Sequence, residues 1–172
     1  RRVAADAERL IGAMNAPRFV TLTLRAAEDS LHERIDRIHA CFRRLRRTDA
    51  WSKRVHGGVA TLEVTRGRQG GHWHVHLHLV YDGEYFPHAL LKQKWLEITG
   101  DSFIVDIRAV HNRTQAARYM AKYVAKGADV YGWTRQHVRE YALSIHGRRL
   151  VLTWGTCHGQ ESKADRPEGP TP

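Results

Sequence analysis

Histidine recurs at every second position in the run Gly71-His72-Trp73-His74-Val75-His76-Leu77-His78-Leu79-Val80. On an extended strand alternate side chains share a face, so His72, His74, His76 and His78 form one imidazole stripe. Trp73, Val75, Leu77 and Leu79 then face the other way, into a core. Neutral imidazole is the commonest side-chain metal ligand, and two of them two residues apart on a strand can grip one ion. A third ligand is available from the preceding segment. If the loop near Gln69 and Gly70 is a hairpin tip, Glu63 falls opposite His76, with Cβ atoms about 4.5–5.5 Å apart. His76, His78 and Glu63 would converge on one ion and leave open positions for water or a phosphate oxygen. His74 is open to three roles: a fourth ligand, a phosphate contact or a hydrogen-bond donor behind the ligands. His72, nearest the loop, reads as solvated. Without a metal, the stripe is a half-exposed polar face.

A second group of reactive side chains is Tyr119-Met120-Ala121-Lys122-Tyr123-Val124-Ala125-Lys126. Residues four apart on a helix are neighbours, which aligns Tyr119, Tyr123 and Lys126 with Lys122 beside them. Ala116, Met120 and Val124 supply the buried flank. A phenol has a pKa near 10 and needs help to act as a nucleophile. Adjacent lysines favour phenolate, and a cation can polarise a phosphate under attack. The plainer alternative is half-buried aromatics with snorkelling lysines.

These groups need elements to hold them. Small and charged residues over 3–14 read as a helix that Pro17 ends, and the alternation of Phe19 to Leu24 as a strand. Leu31, Ile35, Ile38, Phe42 and Leu45 mark an amphipathic helix within 28–48. Its outer face would carry Arg34, Arg37, Arg43, Arg44, Arg46 and Arg47, either solvated or touching phosphates. Gly57-Gly58 opens a strand from Val59 to Thr65, which pairs with the histidine strand as an antiparallel hairpin. Pro87 starts a helix to Ile98, ended by Gly100. Residues 103–107 read as a strand, Thr114 to Lys126 as a helix stopped by Gly127, Arg135 to Ser144 as another helix, and Leu150 to Trp154 as a last strand. The order predicts an α+β fold: a central antiparallel sheet, helices mainly on one face and the active site on the other. The chain divides into an N-terminal helical extension (1–16), the main domain (17–158) and a disordered tail (159–172).

The 172 residues suit one domain, and 28 Lys+Arg against 18 Asp+Glu give a net charge of +10. Such a balance favours nucleic acid as partner. Cys41 and Cys157 have no CxxC spacing, so neither a disulfide framework nor a zinc ribbon is expected, and a reducing, intracellular setting is the default. No apolar run reaches the roughly 20 residues of a membrane span, so no membrane partner is expected. The chain starts Arg1-Arg2 rather than with Met, as a piece of something longer would.

Together the two groups resemble the HUH endonuclease superfamily, which starts rolling-circle replication, transposition or conjugative transfer. His76-Leu77-His78 matches its His-hydrophobic-His motif, Phe19-Val20-Thr21-Leu22-Thr23 resembles its first motif, and YMAKYVAK resembles the motif that carries the nucleophile. The three occur in family order, and the resemblance spans roughly residues 17–155. It implies a ferredoxin- or RRM-like central sheet. One-tyrosine initiators often carry an acid four residues before the nucleophile. Here that position is Tyr119, so the pattern is similar to the two-tyrosine branch of Rep proteins and transposase nickases.

The resemblance implies a divalent ion, Mg²⁺ or Mn²⁺, on His76, His78 and Glu63, and attack by Tyr119 or Tyr123 to give a 5′-phosphotyrosine and a free 3′-hydroxyl. Lys122 or Lys126 would stabilise developing charge. The partner would be single-stranded or locally melted origin DNA, held also by an exposed aromatic such as Trp51 or Trp133. A helicase, in trans or in a further domain, would assist. The setting would be cytoplasmic, for a bacterial, archaeal or viral element, or otherwise intracellular. Two other readings stay open: a non-catalytic nucleic-acid-binding module with a structural histidine strand, and a metal-dependent hydrolase that uses water.

Overall fold

A computed structural model describes residues 2–67, 71–126, 128 and 130–160, with side chains for these except 2–4 and 123–126. The expected tail from 161 and the expected helix stop at Gly127 lie outside the described residues. In chain order the elements are α1 (Arg2–Gly12), β1 (Pro17–Thr23), α2 (Leu31–Arg46), α3 (Asp49–Ser52), β2 (Val55–Arg66), β3 (Trp73–Gly83), α4 (His88–Thr99), β4 (Val105–Ala109), α5 (Arg113–Lys126), α6 (Arg135–Ile145) and β5 (Val151–Gly155). The fold is α+β, with a five-stranded antiparallel sheet in the order β4-β1-β3-β2-β5. The histidine strand is therefore the middle one.

Local chemistry sets the ends of these elements. The Ser30 hydroxyl accepts from the Glu33 N–H while the Glu33 carboxylate accepts from the Ser30 N–H, a capping box that starts α2. Gly100 ends α4 at φ 82, left-handed backbone that a side chain would strain. β2 begins four residues earlier than the Val59 start expected from Gly57-Gly58, and the glycines lie within the strand. A Cβ on Gly58 would sit 2.6 Å from the Val80 carbonyl oxygen and 2.5 Å from the Trp154 ring, so these glycines admit close neighbours rather than mark a turn.

Trp73, Val75, Leu77 and Leu79 are fully buried against Leu31, Ile35, Ile38 and Phe42 of α2, with Trp51, Leu91 and Trp95 completing that core. The other face is only partly open. Leu10, Ile11 and Met14 pack with Ala117 and Met120 of α5 over Val59 and Val80. Each such burial contributes roughly 1.5–3 kcal/mol, so α1 is fixed onto the sheet rather than trailing from it.

Three expectations are corrected here. The fourth strand starts at Val105, because its ladder with β1 runs only from Ala109 to Val105; Phe103 and Ile104 are exposed. Trp51 is buried to 2% exposure between Phe42, Tyr81 and Phe86, and Trp133 packs edge-on against Trp73 and Tyr141, so neither ring stands free to hold a DNA strand. The arginine face of α2 is also largely committed. Arg34 is fully buried and donates to the Arg25 carbonyl at 2.7 Å, and burial lowers its pKa. Arg37 and Arg44 donate to the Thr99 and Ile98 carbonyls at the C-terminus of α4, where cations are favoured. Arg46 lies over Phe42 and Trp154. α4 and its following loop engage Arg37 and Arg44, whereas Arg43, Arg44 and Arg47 stay exposed as the helical pattern expects.

Candidate active site

Strand pairing converts the sequence motifs into a grid. Thr21 of β1, His78 of β3 and Thr61 of β2 are directly paired across three strands; one step along, Thr23, His76 and Glu63 form the next row. Thr65 faces His74 in the row beyond. The Glu63–His76 register is the one expected from a hairpin, although residues 68–70 at its tip lie outside the described residues.

Each central imidazole is held from behind by a threonine. His78 Nδ1 is 3.1 Å from Thr21 Oγ1, and His76 Nδ1 is 3.0 Å from Thr23 Oγ1. The two rings stack at 6.2 Å between centroids and 28° between planes. Their Nε2 atoms are thereby left for chemistry, and at His78 this atom meets Glu63 Oε2 at 2.7 Å. With Glu63 accepting from Nε2–H, Nδ1 of His78 accepts from the Thr21 hydroxyl. A threonine hydroxyl can equally accept from Nδ1–H, so it supports either tautomer. Burial lowers the His76 pKa, against the raising effect of Glu63, and His78, His74 and Arg34 lower it further. His74 is lowered too, by burial first and then by Arg34 and His72. Both are thus held toward neutral imidazole, the form that ligates metals.

The donor set suits a divalent ion in kind: two imidazole nitrogens and a carboxylate oxygen. Its arrangement is closed, however. The Glu63–His78 hydrogen bond joins two of the atoms that would face the ion, and among the described residues no three His, Cys, Asp or Glu side chains stand in metal-holding geometry. His76, His78 and Glu63 would hold an ion once that hydrogen bond gives way. His74, one row further out, is not gathered with them, and His72 is exposed outside the strand.

The helix α5 crosses this face. The Tyr119 ring packs edge-on against Phe19 at 5.1 Å and against His78 at 6.3 Å between centroids, and is 42% exposed. Phe19 in turn stacks on His78 at 6.0 Å. Ala117 and Met120 anchor the helix from below. Lys122 is exposed. Tyr123 and Lys126 belong to α5, but their side chains lie outside the described residues. The structure therefore brings Tyr119 to His78.

Four residues beside the site escaped the sequence reading of side-chain roles. Thr21 and Thr23 lie in a segment legible as a strand and as a resemblance to the first motif, with no role for the hydroxyls. Asp106 and Arg108 of β4 pair with Thr21 and Phe19 and share their face, and Arg108 Nε donates to Asp106 Oδ2 at 2.7 Å. The alternation Val105-Asp106-Ile107-Arg108 was the available signal.

An antiparallel sheet with His-Leu-His on its middle strand and a helix with two tyrosines packed over it has the layout of an HUH-type domain. A family model described as replication protein, Rep_1, matches residues 3–170, and the chain belongs to that family. It is a replication initiator, consistent with rolling-circle Rep proteins of the HUH superfamily. No curated protein and no solved structure matches the chain. No described helix is long and apolar enough to cross a membrane.

Proposed function

We propose that this initiator is a sequence-specific single-stranded DNA endonuclease and strand transferase. The observation that carries the reading is the placement of Tyr119 edge-on to His78, on the face where His76 and Glu63 also lie. The Tyr119 or Tyr123 hydroxyl gives up its proton as its oxygen attacks the scissile phosphorus, the bond from phosphorus to the 3′-oxygen breaks, and the departing oxygen takes up a proton. The products are a 5′-phosphotyrosine and a 3′-hydroxyl. Attack by a 3′-hydroxyl reverses the step, so joining needs no nucleotide cofactor, and two tyrosines allow successive cleavage and joining.

His76, His78 and Glu63 would hold Mg²⁺ or Mn²⁺, which supplies charge neutralisation at a phosphate oxygen. Thr21 and Thr23 orient the two imidazoles, and the Lys122 ammonium, on the same helix, offsets charge on the phosphate. The expected partner is single-stranded or locally melted origin DNA, with strand separation supplied by a helicase.

A random-sequence, single-stranded DNA library incubated with the protein and Mn²⁺ tests this. A protein–DNA adduct that survives a denaturing gel, requires the metal and disappears in the Tyr119→Phe/Tyr123→Phe double variant is expected. An adduct that persists in the double variant overturns the assignment. One observation favours a second reading: the closed His78–Glu63 pair suits a non-catalytic nucleic-acid-binding module. That reading predicts DNA binding unaffected by EDTA and no adduct with any metal.

A further inference from the structure

Beside the candidate nucleophile an open groove of about 580 Å³ lies between the β4 edge of the sheet and the first turns of α5. Its floor includes Phe19, Thr21, Asp106 and Arg108, and its wall includes Gln115 and Tyr119. Two of these residues join it to the histidine site. Thr21 is paired with His78 on one side and with Asp106 on the other, so the floor starts one strand away from the imidazoles, about 4.8 Å. Tyr119 is both a wall of the groove and the edge-on neighbour of His78. A phosphate at the histidines would therefore leave its adjoining nucleoside at the mouth of this groove.

The groove has room for a nucleobase, and its lining suits one in chemistry. The volume falls within the range of small-ligand sites, which runs from roughly 300 to 1,000 Å³. Phe19 and Tyr119 offer aromatic surface, and stacking of bases on such rings is tolerant of sequence. Selection needs fixed polar groups, and Asp106 with Arg108 supplies them: an acceptor and a donor held together by their own ion pair. Oδ2 of Asp106 takes the arginine at 2.7 Å, and the second carboxylate oxygen remains to accept from an exocyclic amine. Cytosine carries such a donor, N4–H₂, beside acceptors that suit a guanidinium. Thymine has a carbonyl where cytosine has its amine, and places it against the carboxylate. Neither residue has a role in the core: Arg108 is 74% exposed and Asp106 is 42% exposed on an edge strand.

We propose that this groove is the base-reading pocket of the protein, taking the nucleobase next to the scissile phosphate and selecting, through Asp106 and Arg108, a base with an exocyclic amine over thymine. It rests on the nickase reading for the position of the phosphate alone. The test is fluorescence anisotropy with labelled dC12 and dT12 in EDTA, where every register places the same base in the groove and no cleavage occurs.

Wild type should bind dC12 at least ~5-fold more tightly than dT12, as one discriminating contact gives. Asp106→Ala and the near-isosteric Asp106→Asn should bring the ratio close to 1 without weakening dT12, with unchanged melting by circular dichroism. A wild-type ratio near 1, or a ratio that both folded variants retain, overturns the pocket. A missing adduct in the tyrosine experiment overturns the nickase reading and leaves the base ratio standing, so the two failures are distinct.

Discussion

Glu63 stands directly across the strand pair from His76, yet its carboxylate accepts a hydrogen bond from His78, one row away, at 2.7 Å. The side chain thus leans diagonally between the two imidazoles. His78 is only 5% exposed, so removing its acceptor leaves a buried N–H unsatisfied. Glu63→Ala should lower unfolding free energy by roughly 1–3 kcal/mol in urea titration. Adduct formation should fall at the same time, because the donor set loses its carboxylate. Full adduct yield from a folded Glu63→Ala protein would remove Glu63 from the site.

The hydroxyls behind the imidazoles make a separate prediction. Thr21→Val and Thr23→Val keep shape and delete the contacts at 3.1 and 3.0 Å. Groups that orient ligands in this way typically contribute 10- to 100-fold to metal affinity. Isothermal titration with Mn²⁺ should register a loss of about that size for each variant, and unchanged affinity would show that the threonines do not orient the ligands.

Tyr119→Phe removes one hydroxyl and keeps the ring that packs on Phe19 and His78. Stability should stay within about 0.5 kcal/mol of wild type, since the change is at a partly exposed position. If Tyr119 makes the first attack, the initial nick on a captured substrate should fall at least tenfold, and Tyr123→Phe should spare it. Equal nicking by the two single variants would mean either tyrosine can start.

His39 gives the clearest pH effect. Burial first, and then Arg148 and Arg43, push its pKa down to about 4, while Asp36 opposes them, and its buried Nε2 has no hydrogen-bond partner among the described residues. The unfolded chain takes up this proton near pH 6.5 and the folded chain only near 4, so stability is full above 6.5 and is lost as pH falls between those values. The loss amounts to ~3 kcal/mol at 1.36 kcal/mol per unit. Urea titrations at pH 6.5 and 4.5 should show a steeper decline for wild type than for His39→Gln; parallel declines would contradict the assignment.

Trp51 belongs to the core and not to a DNA surface. Trp51→Ala should cost about 3–5 kcal/mol of stability, whereas Trp51→Phe should leave affinity for a dT12 oligonucleotide unchanged within twofold. A large affinity loss in folded Trp51→Phe would return the ring to the binding surface.

The legible parts of the molecule were those set by short-range rules. Alternation from Trp73 to Leu79 assigned both faces of the histidine strand, and a hairpin between neighbouring segments fixed Glu63 opposite His76. Misreadings arose where a distant segment supplied the environment. Arg37 and Arg44 lie on the hydrophilic side of their helix, and only the position of α4 shows that they cap its carbonyls. Asp106 gains meaning from its neighbour Thr21, and that pairing follows from β4 adding to the outer edge of β1, which no local pattern specifies. Strand order is a property of the assembled sheet.

The position of β3 in that order has a consequence for how long the site persists. His76 and His78 sit on a strand with a paired neighbour on each side, so their backbone cannot shift without opening two ladders at once. Segments of this kind exchange their amide hydrogens only when the whole domain opens. The imidazole pair should thus have the lifetime of the fold itself, and whatever admits an ion or a strand of DNA must move around it.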